Sequence, residues 1–437
     1  MTRKILCPFA LFLLAIVFCA ASAVPQNPAD KSEQLKFVVY LSRHGVRSPT
    51  GKTAQYAKYS AAPWPEWDVQ PGYLTAHGYQ LMKLFGAYDR TALAAEGLLA
   101  PAGCEDAAHV TILADSDQRT RETGKALAEG LLPGCPIEVH ALPEGTPDPI
   151  FHSTEAGIGR ADSALAAAAI AGRIGGDANN LTAAYRAQLA VLDSVLAGCG
   201  KVQPANQTRT SLLDIPAHLG PGTGDHLAEL RGPLATASTL SENLLLEYTQ
   251  GMRGTNLGWG CLDESALREI MQLHTAEEDF ADRTVPIARM YASNLLDRIV
   301  KALEQSAAGK PVTGAPGRQD DRVLFLVGHD TNIATVAGAL ELNWIIDGRP
   351  NDTPPGGALV FELWRARIGG EYSVRVYYTA QTLQQMREAQ PLTPDTPPQR
   401  VPVFVPGCSG QDMACTLDGF AVTTRRAIDS VYVTAQP

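Results

Sequence analysis

The chain has 437 residues, 45% hydrophobic and 19% charged, enough to bury a large core and too apolar for a disordered or fibrous protein. Its 36 Lys and Arg against 46 Asp and Glu give a net charge of −10, which leaves no basic stripe for a polyphosphate backbone and excludes nucleic acid as an expected partner. The eight cysteines form no C-x-x-C pair and the nine histidines no H-E-x-x-H, so neither a metal nor another cofactor is expected.

Arg3 and Lys4 precede an apolar run from Phe9 to Phe18, and Ala21, Ser22 and Ala23 then supply the small residues that a signal peptidase needs. Residues 1–23 therefore read as a secretory signal cleaved near Ala23, which sends the mature chain to the periplasm or the medium. The run is shorter than the ~20 residues of a membrane span, so no membrane association is expected after cleavage. Six cysteines remain, an even number in keeping with disulfides in an exported protein. Spacing leaves 15 connectivities open. One of them closes short loops by joining Cys408 to Cys415 and Cys104 to Cys135, with Cys199 and Cys261 left as the third pair.

Residues Phe37 to Leu41, Val110 to Leu113 and Val323 to Val327 are apolar, rich in β-branched side chains and followed by polar clusters, which predicts buried strands of a mostly parallel sheet. Between the first two, Leu81, Phe85 and Tyr88 recur at helical spacing behind Thr75, a capping residue type. The fold class is α/β, with a core formed by residues 24–150 and 311–437. Residues 151–310 read as an inserted helical cap, with helices from Ala164 to Ala171 and Leu181 to Leu196 and a Gly/Pro loop from Pro216 to Gly224. A hairpin of Ala358 to Trp364 and Tyr372 to Ala380 turns at Gly369 and Gly370.

Chemistry-bearing residues cluster where the three strands end. The first runs into Arg43-His44-Gly45-Val46-Arg47-Ser48-Pro49-Thr50, the second into Asp115-Ser116-Asp117-Gln118-Arg119, the third into Gly328-His329-Asp330-Thr331-Asn332. An isolated arginine is ordinarily a solvated charge and an isolated histidine a structural one. Packing does not require cations at three strand ends, whereas a phosphoryl group does, because guanidinium forks match its oxygens. Gly45 to Thr53 looks like a nucleotide-binding P-loop, but five residues separate its glycines where that motif has four, and Pro49 removes an amide.

The paired motifs Arg43-His44-Gly45-Val46-Arg47-Ser48-Pro49-Thr50 and Gly328-His329-Asp330-Thr331-Asn332 resemble those of the histidine acid phosphatases, most closely the bacterial periplasmic phytases. The resemblance implies a phosphoglycerate mutase-like core and a double displacement on a small phosphomonoester, with no cofactor. It makes His44 the nucleophile and Asp330 the proton donor, with Arg43, Arg47, Thr50, Arg119 and His329 binding phosphate and Glu242 facing the substrate. Three features depart from those relatives. Gly51 stands where they carry a lysine, which leaves Lys52, one residue later, as the candidate substrate contact; Tyr291 matches an arginine, although Arg289 lies nearby; and their local cysteine pair near the counterpart of Cys199 has only Cys261 to replace it.

The leading expectation is an exported monomeric acid phosphatase acting on phosphate monoesters, phytate among them, with an optimum on the acid side of neutrality. A sugar-phosphate phosphatase such as a glucose-1-phosphatase is the alternative within the enzymes, and a binding protein for phosphorylated ligands the alternative outside them. A mutase ranks last, because those enzymes place Glu or Gln where Val46 stands.

Overall fold

Strand β1 (Glu33–Arg43) is apolar on both faces, which places it inside a sheet covered from both sides. The computed structural model describes residues 32–200, 209–222 and 227–434, so the secretory segment expected over residues 1–23 lies outside the described residues. After β1 come α1 (Ala76–Ala95), β2 (Val110–Ala114), α2 (Gln118–Leu131) and β3 (Val139–His140). A helical stretch follows: α3 (Ser163–Ile174), α4 (Arg186–Leu196), α5 (Pro233–Thr249), α6 (Glu264–Ala281) and α7 (Val285–Ala308). The chain then returns through β4 (Val323–Gly328), α8 (Asp330–Ala339), β5 (Ala358–Ala366), β6 (Tyr372–Ala380), β7 (Gln399–Val403) and β8 (Ala414–Thr416).

These strands form one eight-stranded sheet in the order β7-β6-β5-β1-β4-β2-β3, with β8 also pairing β6. Strands β1, β4, β2 and β3 pair in parallel, and β6 regains their direction across the antiparallel β5, so five of the eight run one way. The α/β class expected from the sequence is the observed one. The hairpin β5–β6 turns at Gly369 and Gly370, both left-handed at φ 84° and 75°, where a side chain is disfavoured.

Period-two alternation sorts β1 between the layers. Phe37, Val39 and Leu41 pack on Leu295 and Ile299 of α7 and Ile333 of α8, while Val38 and Tyr40 pack with Phe85 of α1 and Leu127 of α2. Thr75 caps α1 by accepting from the Gly78 N–H at 2.9 Å. Helices α3 to α6 bury a separate cluster that includes Ile170, Leu192, Leu240 and Ile270. Helix α7 serves both, with Ile287 and Met290 in the helical cluster and Leu295 and Ile299 against the sheet.

In the helical stretch two details differ from expectation. The stretch from Leu181 to Leu196 breaks at Tyr185 (φ −104°, ψ 20°) into Asn179–Ala184 and α4. Within the expected Pro216–Gly224 loop, His218–Pro221 pairs antiparallel with Ala228–Arg231, because Leu219 and Leu230 face each other across that ladder and pack on the helical cluster.

Disulfides join Cys104 to Cys135 and Cys408 to Cys415. The first spans 31 residues, a loop whose closure is worth roughly 3–4 kcal/mol by restriction of the unfolded chain. The third expected bond, Cys199 to Cys261, is not formed: Cys199 is exposed in a left-handed turn at φ 50°, and Cys261 Sγ instead lies 3.1 Å from the Gly258 carbonyl. Among the described residues no helix is long and apolar enough to cross a membrane.

Candidate active site

Strand register brings the three polar clusters together. Arg43 stands opposite Gly328 and Ser42 opposite Val327, and Ala114 is also opposite Val327, so β1, β4 and β2 end level. The residues that follow leave the sheet side by side, at the carboxyl ends where open α/β sheets bind ligands. The His44 N–H donates to the Gly328 carbonyl at 3.0 Å and the Asp115 N–H to the Val327 carbonyl at 2.9 Å. The rings of His44 and His329 consequently lie 5.6 Å apart, centroid to centroid.

The loop after β1 requires glycine. A Cβ on Gly45 would stand 2.8 Å from Met82 Cγ and 3.1 Å from the Gly78 carbonyl oxygen, and one on Gly78 only 2.1 Å from the Val46 carbonyl oxygen. Loop and α1 therefore touch backbone to backbone. The Gly45 N–H donates to Thr123 Oγ1 at 3.0 Å and the Leu74 N–H to Gln118 Oε1 at 2.9 Å, which ties this loop and the start of α1 to α2.

His44 Nδ1 lies 2.8 Å from the Gly45 carbonyl oxygen. A carbonyl only accepts, so Nδ1 carries the proton and Nε2 bears the lone pair. Burial, reinforced by Arg119, Arg43 and Arg47, pushes His44 well below the ordinary histidine range and keeps the ring neutral in mild acid. Arg43 is wholly buried, donating to the Thr353 carbonyl at 2.6 Å and to Glu242, and it forms an ion pair with Asp330 Oδ2 at 2.7 Å. Arg47 stands 3.5 Å from Glu242 Oε1; burial pushes it down to about 10, which leaves it charged through neutrality.

His329 precedes α8, and its N–H donates to Asn332 Oδ1 at 2.9 Å. Its Nε2 donates to Asp115 Oδ2 at 2.7 Å, so Nδ1 accepts from Arg119 at 3.3 Å. Burial and Arg119 outweigh the Asp115 hydrogen bond and pull His329 below its ordinary value. Asp330 opens the first turn of α8, where a negative charge is favoured. Burial works against its ionisation, yet Arg43, His274 and Arg47 hold it well below the usual carboxylate range.

Seven of the residues singled out in the sequence thus converge: Arg43, His44, Arg47, Arg119, Glu242, His329 and Asp330. Thr50 is exposed beside them; a Cβ on Gly72 would lie 3.5 Å from Thr50 Cγ2 and 3.6 Å from Arg119 Nη1. Lys52 is exposed at the start of the short helix Thr53–Tyr56 and takes no part in the contacts described above. Tyr291 borders a cavity of about 190 Å³ that Thr331 and His152 also line, and its hydroxyl accepts from the Leu227 N–H at 3.2 Å. Arg289 turns away, exposed, towards the Arg426 carbonyl.

Other residues to which the sequence assigned no role enter the charge network. His274 Nε2 lies 3.6 Å from both Glu242 and Glu278, and Thr353 donates to Glu278 at 3.1 Å. The four-residue spacing of His274 and Glu278 on α6 was the visible clue. Asp115 accepts from His152 as well as from His329, and nothing around His152 in the sequence marks it. Among the described residues two groups, Asp115 with His152 and His329, and His274 with Glu278 and Asp330, bring metal-ligating atoms within 4.8 Å of one another. Those atoms already engage each other and Arg43 or Arg119, and the guanidinium charges oppose a divalent cation, so the arrangement suits an anion.

Residues 34–379 match the family model of the histidine phosphatase superfamily (branch 2). The phytase AppA of Escherichia coli (strain K12) is 37% identical over 97% of this chain and 98% of its own. A glucose-1-phosphatase of Salmonella typhimurium is 28% identical over 93% and 97%. Among solved structures, the apo phytase of Hafnia alvei superposes with a TM-score of 0.84 at 36% identity, covering 93% of this chain and 100% of that one. The same phytase bound to myo-inositol hexakis sulphate gives 0.83 at 35%, with the same coverage.

Proposed function

Because the chain belongs to the histidine phosphatase superfamily, branch 2, we propose that it hydrolyses phosphate monoesters through a phosphohistidine on His44. The observation that carries this reading is the neutral, tautomer-locked ring of His44 among Arg43, Arg47 and Arg119. An unprotonated Nε2 is a nucleophile, and three guanidiniums offset the charge that would otherwise repel it from a phosphate dianion.

In the first half-reaction Nε2 attacks phosphorus in line with the ester bond, so that an N–P bond forms as the P–O bond breaks. Arg43, Arg47, Arg119 and His329 hold the non-bridging oxygens, and Thr50 adds a hydroxyl. Asp330 gives its proton to the leaving oxygen. At rest Asp330 is ionised against Arg43. A phosphate dianion that takes over Arg43 withdraws that partner and adds a like charge, which raises the affinity of Asp330 for a proton. Glu278, pushed up to about 8 by burial, adds no negative charge in acid. In the second half-reaction water loses a proton to the Asp330 carboxylate and attacks phosphorus, and the N–P bond breaks to release phosphate. Glu242 balances Arg43 and Arg47 until substrate arrives.

Phytate is the favoured substrate class and a sugar phosphate the alternative. Identity of 37% to a phytase over nearly the full length supports the first. The exposed Lys52 and the tyrosine at 291 concern the extra cations that a polyphosphorylated ring needs. Initial rates on phytate, glucose 1-phosphate and an aryl phosphate across pH test the choice; turnover of glucose 1-phosphate with none of phytate overturns it. Rapid quenching during turnover is expected to trap phosphate on His44, and its absence would sink the mechanism. Export through residues 1–23 and a cap built by α3 to α6 complete the reading, supported by the leader pattern, the two disulfides and the separate helical cluster.

A further inference from the structure

The reaction above leaves His152 without a task, although its ring lies 5.2 Å from that of His329, centroid to centroid. Both imidazoles converge on one oxygen, Asp115 Oδ2, at 2.7 Å from His329 Nε2 and 3.1 Å from His152 Nε2. The other nitrogen of His152 also faces an acid, Nδ1 lying 3.3 Å from Glu155 Oε1. A neutral ring serves only one of these carboxylates, because its second nitrogen then presents a lone pair to the other. Two protons satisfy both. Burial opposes the charge, but the Asp115 hydrogen bond and the Asp115 and Glu155 charges prevail and raise His152 above its ordinary value.

His329 has the reverse balance. Its Nε2–H is committed to Asp115 and its Nδ1 faces Arg119. Donating to a phosphate oxygen from Nδ1 requires a second proton, and the imidazolium so formed depends on the charge of Asp115. A cation already on the same oxygen weakens that support.

We propose that His152 is a positioning residue of the phosphate cup: as a cation on Asp115 Oδ2 it fixes that carboxylate and restrains His329 from taking up the second proton that phosphate binding needs. The inference rests on reading His329 as a phosphate ligand. Asp117 and Asp148 also face His152 and add to the pull that keeps it charged, while Asp282 and Tyr291 border the cavity it lines. His329 is faced in addition by His44, by Asp117 at 3.7 Å and by Asp330, which Arg43 neutralises. A change at His152 leaves all of these in place.

His152→Asn keeps an N–H for Asp115 without the charge, and His152→Ala keeps neither. The experiment follows the His329 ring by NMR titration and inorganic phosphate binding by calorimetry, from acid to neutrality, in both variants and the wild type. Removing a unit charge at this separation is expected to raise the His329 titration by about two pH units in His152→Asn, and phosphate binding persists to correspondingly higher pH. His152→Ala shows the same rise with phosphate bound roughly threefold to tenfold more weakly, a loss that Asn rescues. A His329 titration unmoved in both variants overturns the proposal alone. A titration that moves while phosphate binding does not follow it overturns the reading of His329 as a phosphate ligand, and the proposal with it.

Discussion

Asp330→Asn separates proton donation from phosphate binding. The replacement is isosteric, it puts a neutral amide oxygen where the carboxylate pairs with Arg43, and that guanidinium keeps Glu242 and the Thr353 carbonyl, so the cup stays assembled. Losing the acid removes general-acid catalysis of about 10²–10⁴-fold, or roughly 3–5 kcal/mol on the barrier, for alkoxide leaving groups. An activated aryl ester leaves without a proton and slows less than about tenfold. Losing the charge acts in the opposite direction. Asp330 Oδ2 is 2.7 Å from Arg43 Nη2, and a phosphate oxygen on the same guanidinium would lie roughly 5 Å from the carboxylate. Two unit charges at that distance repel by about 3 kcal/mol at an effective dielectric constant of about 20. Inorganic phosphate should therefore inhibit the variant up to roughly a hundredfold more tightly wherever Asp330 is ionised in the wild type. Steady-state kcat on phytate and on an aryl phosphate, with phosphate inhibition constants at several pH values, measures both effects. Equal losses on the two esters, or weaker inhibition by phosphate, would refute the assignment.

His44→Ala is expected to lower turnover by roughly 10⁴-fold or more with an unchanged melting temperature, since no other side chain can accept the phosphoryl group; a residual rate near wild type contradicts the mechanism. Gly78→Ala drives a methyl to 2.1 Å from the Val46 carbonyl and should cost about 1–3 kcal/mol in chemical denaturation. Gly172→Ala, on an open face of α3 with nothing within 4 Å, should instead stabilise by about 0.5–1 kcal/mol. Burial pushes Glu247 up to about 8, although it accepts from the Gly258 N–H at 3.0 Å. The folded state then binds more protons than the unfolded one between the ordinary glutamate pKa and about 8, so stability falls as pH rises through that window. Glu247→Gln keeps the acceptor and should flatten the loss, which urea denaturation across that range measures.

Chain order alone determined which chemistry was at hand. The imidazole of His44, the carboxyl of Asp330 and the arginines 43, 47 and 119 stand in short polar segments directly after apolar runs, and such runs become strands that end where polar residues begin. The hairpin at Gly369 and Gly370 and the Thr75 cap were legible for the same reason, because each depends on a few neighbouring residues. Tertiary structure decided the rest. That β1, β4 and β2 end level follows from pairing between strands hundreds of residues apart, and no local pattern encodes that register. His274, Glu278, Asp115 and His152 acquire meaning only through what burial places against them. Sequence supplied an even set of six cysteines beyond residue 23, and packing formed two bonds and none between Cys199 and Cys261. Charge behaves in the same way: one carboxyl type is held ionised at Asp330 and driven towards neutrality at Glu278, because desolvation and nearby guanidiniums are properties of the folded neighbourhood and absent from the chain as written.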